Sequence, residues 1–423
     1  MATHDAPLRL IGCENSYFTG KIRGYLRWKG VPFEEVLSAV DVYKKLIMPK
    51  VGWSVIPVLV VPPAASATGA PLFIQDTSDI IDAVERMHPA LPSVLPANKT
   101  MRVVAYLAEL LADQWLLLPA MHYRWSFPEN RKFLAREWSD MCPGSTLEER
   151  SKAALASMAA FANFAPGLGA TPEMYPAIEA SFERLLDLLE EHLQTHNYLF
   201  GDRPCLADFA MMGPFYAHLY RDPVPGHLMR CRSPSVSRWV ERTMGVERAV
   251  NFSVGTDARL DRVGGHSSAG PGPGRGEFLA ELPPTLVAVV GHMLSEYAPV
   301  LARTAEVFKE QGYVEEDRVP RAIAMIPFTL GGVTGKRTAM FFDLWMAGRM
   351  FDELRSAGAE TEAWIERSFG EGGRTLLGLK QGFVPGGPLR VRRVENVLRK
   401  GTALPGSKYV AFAGKKKQNT AKL

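Results

Sequence analysis

Residues 8–37 read LRLIGCENSYFTGKIRGYLRWKGVPFEEVL, and this stretch decides the fold. Leu8 to Gly12 is a short apolar run ending in glycine, which predicts a strand. In Thr19 to Lys29 the residues Ile22, Tyr25 and Leu26 recur at helical spacing, and Gly30 followed by Pro32 stops that helix. Val31 to Leu37 reads as a second strand, so the chain opens β-α-β. Beyond a helical or irregular stretch, Val55 to Val61 predicts a third strand and Leu72 to Ile74 a short fourth. Pro57 inside the third marks either an edge or a special peptide bond. Asp76 to Met87 has Ile80, Ile81 and Val84 at helical spacing, with Asp76 or Thr77 as N-cap, and Pro89 ends it.

Downstream the pattern changes. Residues 100–248 contain no convincing strand and read as helices: Met101 to Leu118, Glu148 to Phe164, Pro176 to His192, Ala207 to Tyr220 and Val236 to Met244. The stretch VGGHSSAGPGPGRG, residues 263–276, has the Gly/Ser/Pro composition of a linker. Residues 277–370 read mostly as helices, and residues 371–414 carry short apolar runs among Gly and Pro. The expected units are residues 6–90, 100–248, a linker 263–276, a mostly helical extension 277–414 and a basic tail 415–423.

Composition narrows the chemistry. A chain of 423 residues exceeds one compact core, and 47% apolar with 22% charged residues is ordinary for a globular protein. A net charge of +4 with no clustered basic face outside the far C-terminus argues against nucleic acid. Cys13, Cys142, Cys205 and Cys231 lie far apart without metal spacing, so free thiols in a reducing compartment and no metal are expected. No secretory signal and no apolar run long enough to span a bilayer is read, so no membrane partner is expected; ADQWLLLPAMH, residues 112–122, reads as a buried helix.

Ser16 stands between a strand and a helix start, where backbone N–H groups and the helix dipole favour an anion. It is either an ordinary N-cap or a hydroxyl that hydrogen-bonds a thiolate. A free thiol has a pKa of about 8.5, and lowering it by about two units takes roughly 3 kcal/mol of differential stabilisation. A helix N-terminus plus a charge-assisted hydrogen bond is of that order. A cis bond at Pro57 would turn the backbone of Ile56 outward to pair with an extended peptide. Asp76 offers a carboxylate for an α-ammonium, and Thr77 its hydroxyl and N–H for an α-carboxylate; taken alone, the stretch reads as an ordinary capping cluster.

Taken in order, SYFTGKIRGYLRWKGVPFEEV, IPVLV and QDTSDIIDAVE resemble the glutathione-transferase family, with its serine-or-cysteine segment, cis-proline strand and E-S-x-A-I segment. YLFGDRPCLADFAMMGPFYAHL is similar to the family's Y-L-x-G-x-x-x-[ST]-x-A-D signature, in which Gly201 makes a turn and Cys205 to Asp208 form a capping box, and Pro234 and Arg238 to Val240 continue the likeness. The resemblance covers about residues 8–245. It implies an α/β thioredoxin-like N-terminal domain and an all-α C-terminal domain, followed here by a mostly helical extension.

The resemblance also implies roles. Ser16, placed as in theta-, zeta- and omega-like members, would hydrogen-bond the glutathione thiolate, with Tyr17 as the alternative donor. Ile56 would pair by its backbone with the cysteinyl part, Pro57 would be cis, and Asp76 and Thr77 would hold the γ-glutamyl end. Glutathione is thus the expected co-substrate, and a small electrophile the expected partner. His122, Tyr123, Arg124 and Trp125 either line the electrophile pocket or form a packed helix end. A homodimer is implied by the resemblance alone. A non-catalytic binding or scaffold role is the alternative function.

Other motifs weigh less. Gly331 to Arg337 (GGVTGKR) is one residue short of a phosphate loop, and Arg337 stands where Ser or Thr should be. His192 and His196 share a helix face without a third ligand. Ala421-Lys422-Leu423 resembles the S-K-L peroxisomal address, so a peroxisomal import receptor is an expected partner if the source is eukaryotic, and a cytoplasmic location otherwise.

Overall fold

The computed structural model describes residues 7–66, 69–245, 276–394 and 397–401. The linker call up to residue 275, residues 402–414 and the basic tail with Ala421-Lys422-Leu423 lie outside the described residues.

Strands β1 (Leu8–Gly12), β2 (Phe33–Leu37), β3 (Val58–Val61) and β4 (Leu72–Gln75) form a mixed sheet in the order β2-β1-β3-β4. β1 and β2 run parallel, and β3 is antiparallel to both β1 and β4. The parallel pair needs a crossover, and the helix Tyr17–Lys29 supplies it. Gly30, at φ 72°, ends that helix in the left-handed conformation glycine tolerates. A Cβ on Gly12 would meet the Thr19 side chain at 2.4 Å, so the strand-to-helix turn closes only over glycine. The third strand is shorter than expected and starts after Pro57, because proline cannot donate to the ladder.

The second domain is helical. A long run begins at Lys99–Leu110, passes through a wider π-type turn at Leu111–Trp115 and continues as Leu117–Ser126. Around it stand Pro128–Trp138, Leu147–Ala162, Tyr175–Leu193, Leu206–Met212, Pro223–Arg232 and Pro234–Thr243. Asp208 starts one of these helices fully buried, accepting from the backbone N–H of Cys205 and Leu199 and from the Trp239 indole. These donors satisfy its oxygens, as burial of a carboxylate requires. Cys13, Cys142, Cys205 and Cys231 are free thiols.

The extension is mostly helical: Pro284–Glu310, Phe342–Ala357 and Ala359–Gly378. It also contains strands that the sequence reading did not expect. β6 (Ala322–Leu330) and β7 (Val333–Met340) form a hairpin, and β8 (Val391–Val394) and β9 (Val397–Lys400) pair beside the short β5 (Arg318–Val319). Gly331 and Gly332, at φ 56° and 81°, make the two-residue hairpin turn, so GGVTGKR is a turn and not a phosphate loop. The signal was present in the alternation of Ile326, Phe328 and Leu330, which point inward, with exposed Pro327 and Thr329.

By length and composition the runs Lys99–Ser126 and Pro284–Glu310 pass for membrane spans, which corrects the expectation that no run is apolar enough. The fold buries 94% of the apolar window of the first and 50% of that of the second. One apolar core runs from the N-terminal sheet through the helical domain into the extension.

Candidate functional site

The sheet register gathers the candidate residues. Val58 is opposite Ile11 on one side and Gln75 on the other. The loop after β1, the segment before β3 and the turn after β4 therefore open at one end of the sheet. Ser16, the cis Ile56-Pro57 bond, and Asp76 with Thr77 stand on those three segments. Among the described residues, nothing pairs with the backbone N–H or C=O of Ile56.

Ser16 is the N-cap of Tyr17–Lys29, and its Oγ accepts the Thr19 N–H at 3.3 Å. The hydroxyl proton is left over by that bond and is available to an anion at the helix N-terminus. Its loop is pinned from the helical domain. Arg124 donates from Nη1 to the Asn15 carbonyl at 2.7 Å, while Nε and Nη2 clasp Asp222 at 2.8 Å each. Glu14 receives the Tyr216 hydroxyl and, at 3.1 Å, Arg221, and Arg23 Nη1 lies 3.1 Å away. Cys13 donates to Asn15 Oδ1 at 3.2 Å, and burial pushes its thiol up to about 11 despite Ser38, Arg124 and Arg23. At neutral pH it is a packed thiol and not a nucleophile.

Asp76 has the rare backbone of φ 83° for a residue other than glycine, and its Oδ1 accepts the Ser78 N–H at 2.9 Å. Such a conformation persists only where the surroundings enforce it. They come from the extension. Arg393 of β8 donates to Gln75 Oε1 at 2.8 Å, to the Gln75 carbonyl at 2.6 Å and to Asp79 at 2.7 Å, and Nη1 lies 3.7 Å from Asp76 Oδ2. Burial pushes the Asp79 carboxyl up to about 6, against the pull of Arg393. Arg349 binds Asp82 through both terminal nitrogens, at 2.9 and 3.2 Å. Asp76, Asp79 and Asp82 recur every three residues at the start of Thr77–Met87, so two arginines serve one acidic helix face. Beneath it, Lys21 is buried between Glu109 at 2.8 Å and Asp113 at 2.7 Å, and Ser78 donates to Glu109. Burial pulls the Lys21 ammonium down, but the two carboxylates outweigh it and hold it up.

Two sequence expectations need correction. Tyr17 is buried, and its hydroxyl donates to the Ala112 carbonyl at 2.6 Å, so it is committed to the domain interface and is not a thiolate donor. His122, Tyr123, Arg124 and Trp125 are all buried and form a packed helix end. His122 holds Ser126 and Glu179, Tyr123 stacks on Phe127, and Trp125 packs edge-on to Trp138. Arg124 reaches the loop before Ser16 by its hydrogen bond to the Asn15 carbonyl. No local pattern marks Glu14, Arg349 or Arg393, because Tyr216 and Arg221, Asp82, and Gln75 and Asp79 meet them from far along the chain. Arg321 carries no local mark either.

A thioredoxin-like sheet with its site at one end, joined to an all-helical domain, is the class that this geometry defines. Residues 10–92 match the model of the glutathione S-transferase N-terminal domain, and residues 153–247 that of the glutathione S-transferase C-terminal domain. The chain thus carries both domains of that fold, and the matches support the glutathione S-transferase family without assigning a class within it. No curated protein matches the chain. Similar solved structures include a glutathione S-transferase from Methylobacterium radiotolerans in complex with glutathione sulfonate, at 19% identity and TM-score 0.34, covering 59% of this chain and 99% of that one. The β-etherase LigF from a Sphingobium strain is 18% identical with TM-score 0.39, covering 56% and 93%. A glutathione transferase family member from Pseudomonas fluorescens with two glutathione bound is 16% identical with TM-score 0.34, covering 57% and 94%.

Proposed function

We propose that this protein binds glutathione and activates its thiol for attack on a small electrophile. The observation that carries the reading is the convergence of Ser16, the Ile56 backbone, unpaired among the described residues, and Asp76 with Thr77 at one end of the sheet. The Ile56 backbone pairs with the cysteinyl unit as an added strand would. That places the ligand sulfur by the Ser16 hydroxyl and the N-terminus of Tyr17–Lys29, which together favour thiolate over thiol. Attack then proceeds from the thiolate, and electrostatic stabilisation of the anion is the main catalytic contribution. The matches to both transferase domains support this reading.

The test is calorimetric titration of the full chain with glutathione, beside Ser16→Ala followed by ultraviolet absorbance of the thiolate. The expected result is binding by both proteins, with the thiolate absorbance lost in the variant and turnover reduced by roughly a hundredfold. No binding by the wild type up to millimolar glutathione overturns the proposal and favours a scaffold role. Homodimerisation and peroxisomal import are separate proposals from the sequence, checked by light scattering and by a fluorescent fusion with and without Ala421-Lys422-Leu423.

A further inference from the structure

The extension supplies a third arginine, and among the described residues this one has no carboxylate or carbonyl partner. Arg321 lies between β5 and β6, its guanidinium carbon 3.7 Å from the Trp53 ring centre and 4.6 Å from that of Phe342. Trp53 leads into the Ile56-Pro57 segment, and Phe342 opens a helix of the extension. The backbone is fixed as well, since the Arg321 carbonyl accepts the Phe341 N–H at 2.7 Å. Among the described residues no side chain or carbonyl accepts from the guanidinium, and Nη2 is buried without a partner. A buried donor left open in this way costs free energy unless something fills it.

Its electrostatic surroundings point to what fills it. Burial pulls the Arg321 guanidinium down to about 10, Asp76 holds it up, and Arg393 pulls it down. Arg321 thus lies in the field of the Asp76 carboxylate without forming an ion pair with it. Arg393 differs, being spent on Gln75 and Asp79. Trp53 precedes β3, whose Val58 is opposite Gln75, so Arg321 and Asp76 border the same end of the sheet; a cation and an anion there, not paired with each other, complement a ligand that carries both charges on one carbon.

We propose that Asp76 and Arg321 together form a receptor for an α-amino-acid head group, with the extension supplying the carboxylate-binding half. Resting on the glutathione reading above, the head group is that of the γ-glutamyl residue. Its ammonium meets Asp76, and its carboxylate meets the open edge of Arg321, a charge-assisted contact that the planar guanidinium makes well. Contacts with the Trp53 and Phe342 rings already restrict the guanidinium, so little freedom is lost on binding. The extension is thereby part of the binding site.

The experiment titrates the full chain with glutathione and with its analogue lacking the α-carboxylate, 4-aminobutanoyl-cysteinylglycine. Wild type, Arg321→Met and Arg321→Lys are compared, with circular dichroism as a folding control. Arg321→Met should weaken glutathione binding about tenfold and leave the analogue unchanged, and the lysine variant should recover part of the loss. Equal affinity of wild type and Arg321→Met for glutathione overturns the proposal, as does an equal loss of both ligands. If the methionine variant fails to fold, the lysine variant decides: a loss confined to glutathione supports the receptor, and no loss or an equal loss overturns it. Wild type that does not bind glutathione overturns the transferase reading and this proposal with it, whereas wild-type binding unaffected at Arg321 overturns this proposal alone.

Discussion

The two walls of the site are held by the same chemistry from different parts of the chain. The loop Cys13–Ser16 is held by Arg124 and Arg221, which belong to the helical domain. The segment Gln75–Asp82 is held by Arg393 and Arg349, which belong to the extension. In both cases a guanidinium clasps a carboxylate and reaches a backbone carbonyl, as Arg124 does with Asp222 and Asn15 and Arg393 does with Asp79 and Gln75. Burial separates them. Asp222 is fully enclosed, whereas Asp79 keeps 14% of its side-chain surface exposed. The Arg124–Asp222 pair is thus drier than Arg393–Asp79, although Glu14 of the first wall is itself 41% exposed.

That contrast sets the scale of what substitutions should do. Arg124→Ala leaves a carboxylate buried without a partner and frees the Asn15 carbonyl, a loss of about 3–5 kcal/mol. Urea denaturation measures it, and a loss under 1 kcal/mol would show that the first wall does not depend on the pair.

The junction between helical domain and extension should respond to acid. His192 is buried, with Nδ1 2.9 Å from the Thr285 hydroxyl of the extension and Nε2 3.0 Å from the Leu199 carbonyl. Burial, and then the neighbouring His196, pull its pKa down to about 4. The unfolded chain therefore binds a proton more readily, and stability should fall as the pH drops from about 6.5 to about 4, by on the order of 3 kcal/mol. Thermal unfolding across that range checks it. His192→Gln should flatten the profile, and an unchanged slope would place the effect elsewhere.

The second wall should show the smallest stability change. Arg393→Ala removes charged hydrogen bonds at a partly wetted pair, for about 1.5–3 kcal/mol. Because it also releases Gln75 beside Asp76, glutathione affinity should fall with it. A stability loss as large as that of Arg124→Ala would erase the difference between the two pairs, and an unchanged affinity would separate the extension from the site.

Much of this was legible locally. Ser16 before an apolar-periodic run and Asp76 before another are both N-caps in the structure, because capping is decided within a turn of helix. Pro57 was marked out within its own strand pattern, and the bond preceding it is cis. The hairpin at Gly331-Gly332 was written as locally as these, yet an expectation of helices overrode its period of two. The packed fate of His122 to Trp125 was not written locally. An aromatic and polar helix end looks the same whether it lines a pocket or meets Glu179, Phe127 and Asp222 inside a core.

By itself, then, the sequence determined the β-α-β opening, the caps, the serine at the first helix and the helical second domain, since each depends on periodicity and side-chain chemistry within a few residues. Only the tertiary structure decided which charges meet. Arg393 stands more than 300 residues from Asp76 in the chain, and the docking of the extension brings it to 3.7 Å from that carboxylate. Long-range ion pairs carry no period and no spacing. They follow from how apolar faces stack, and that stacking is settled by the whole core at once.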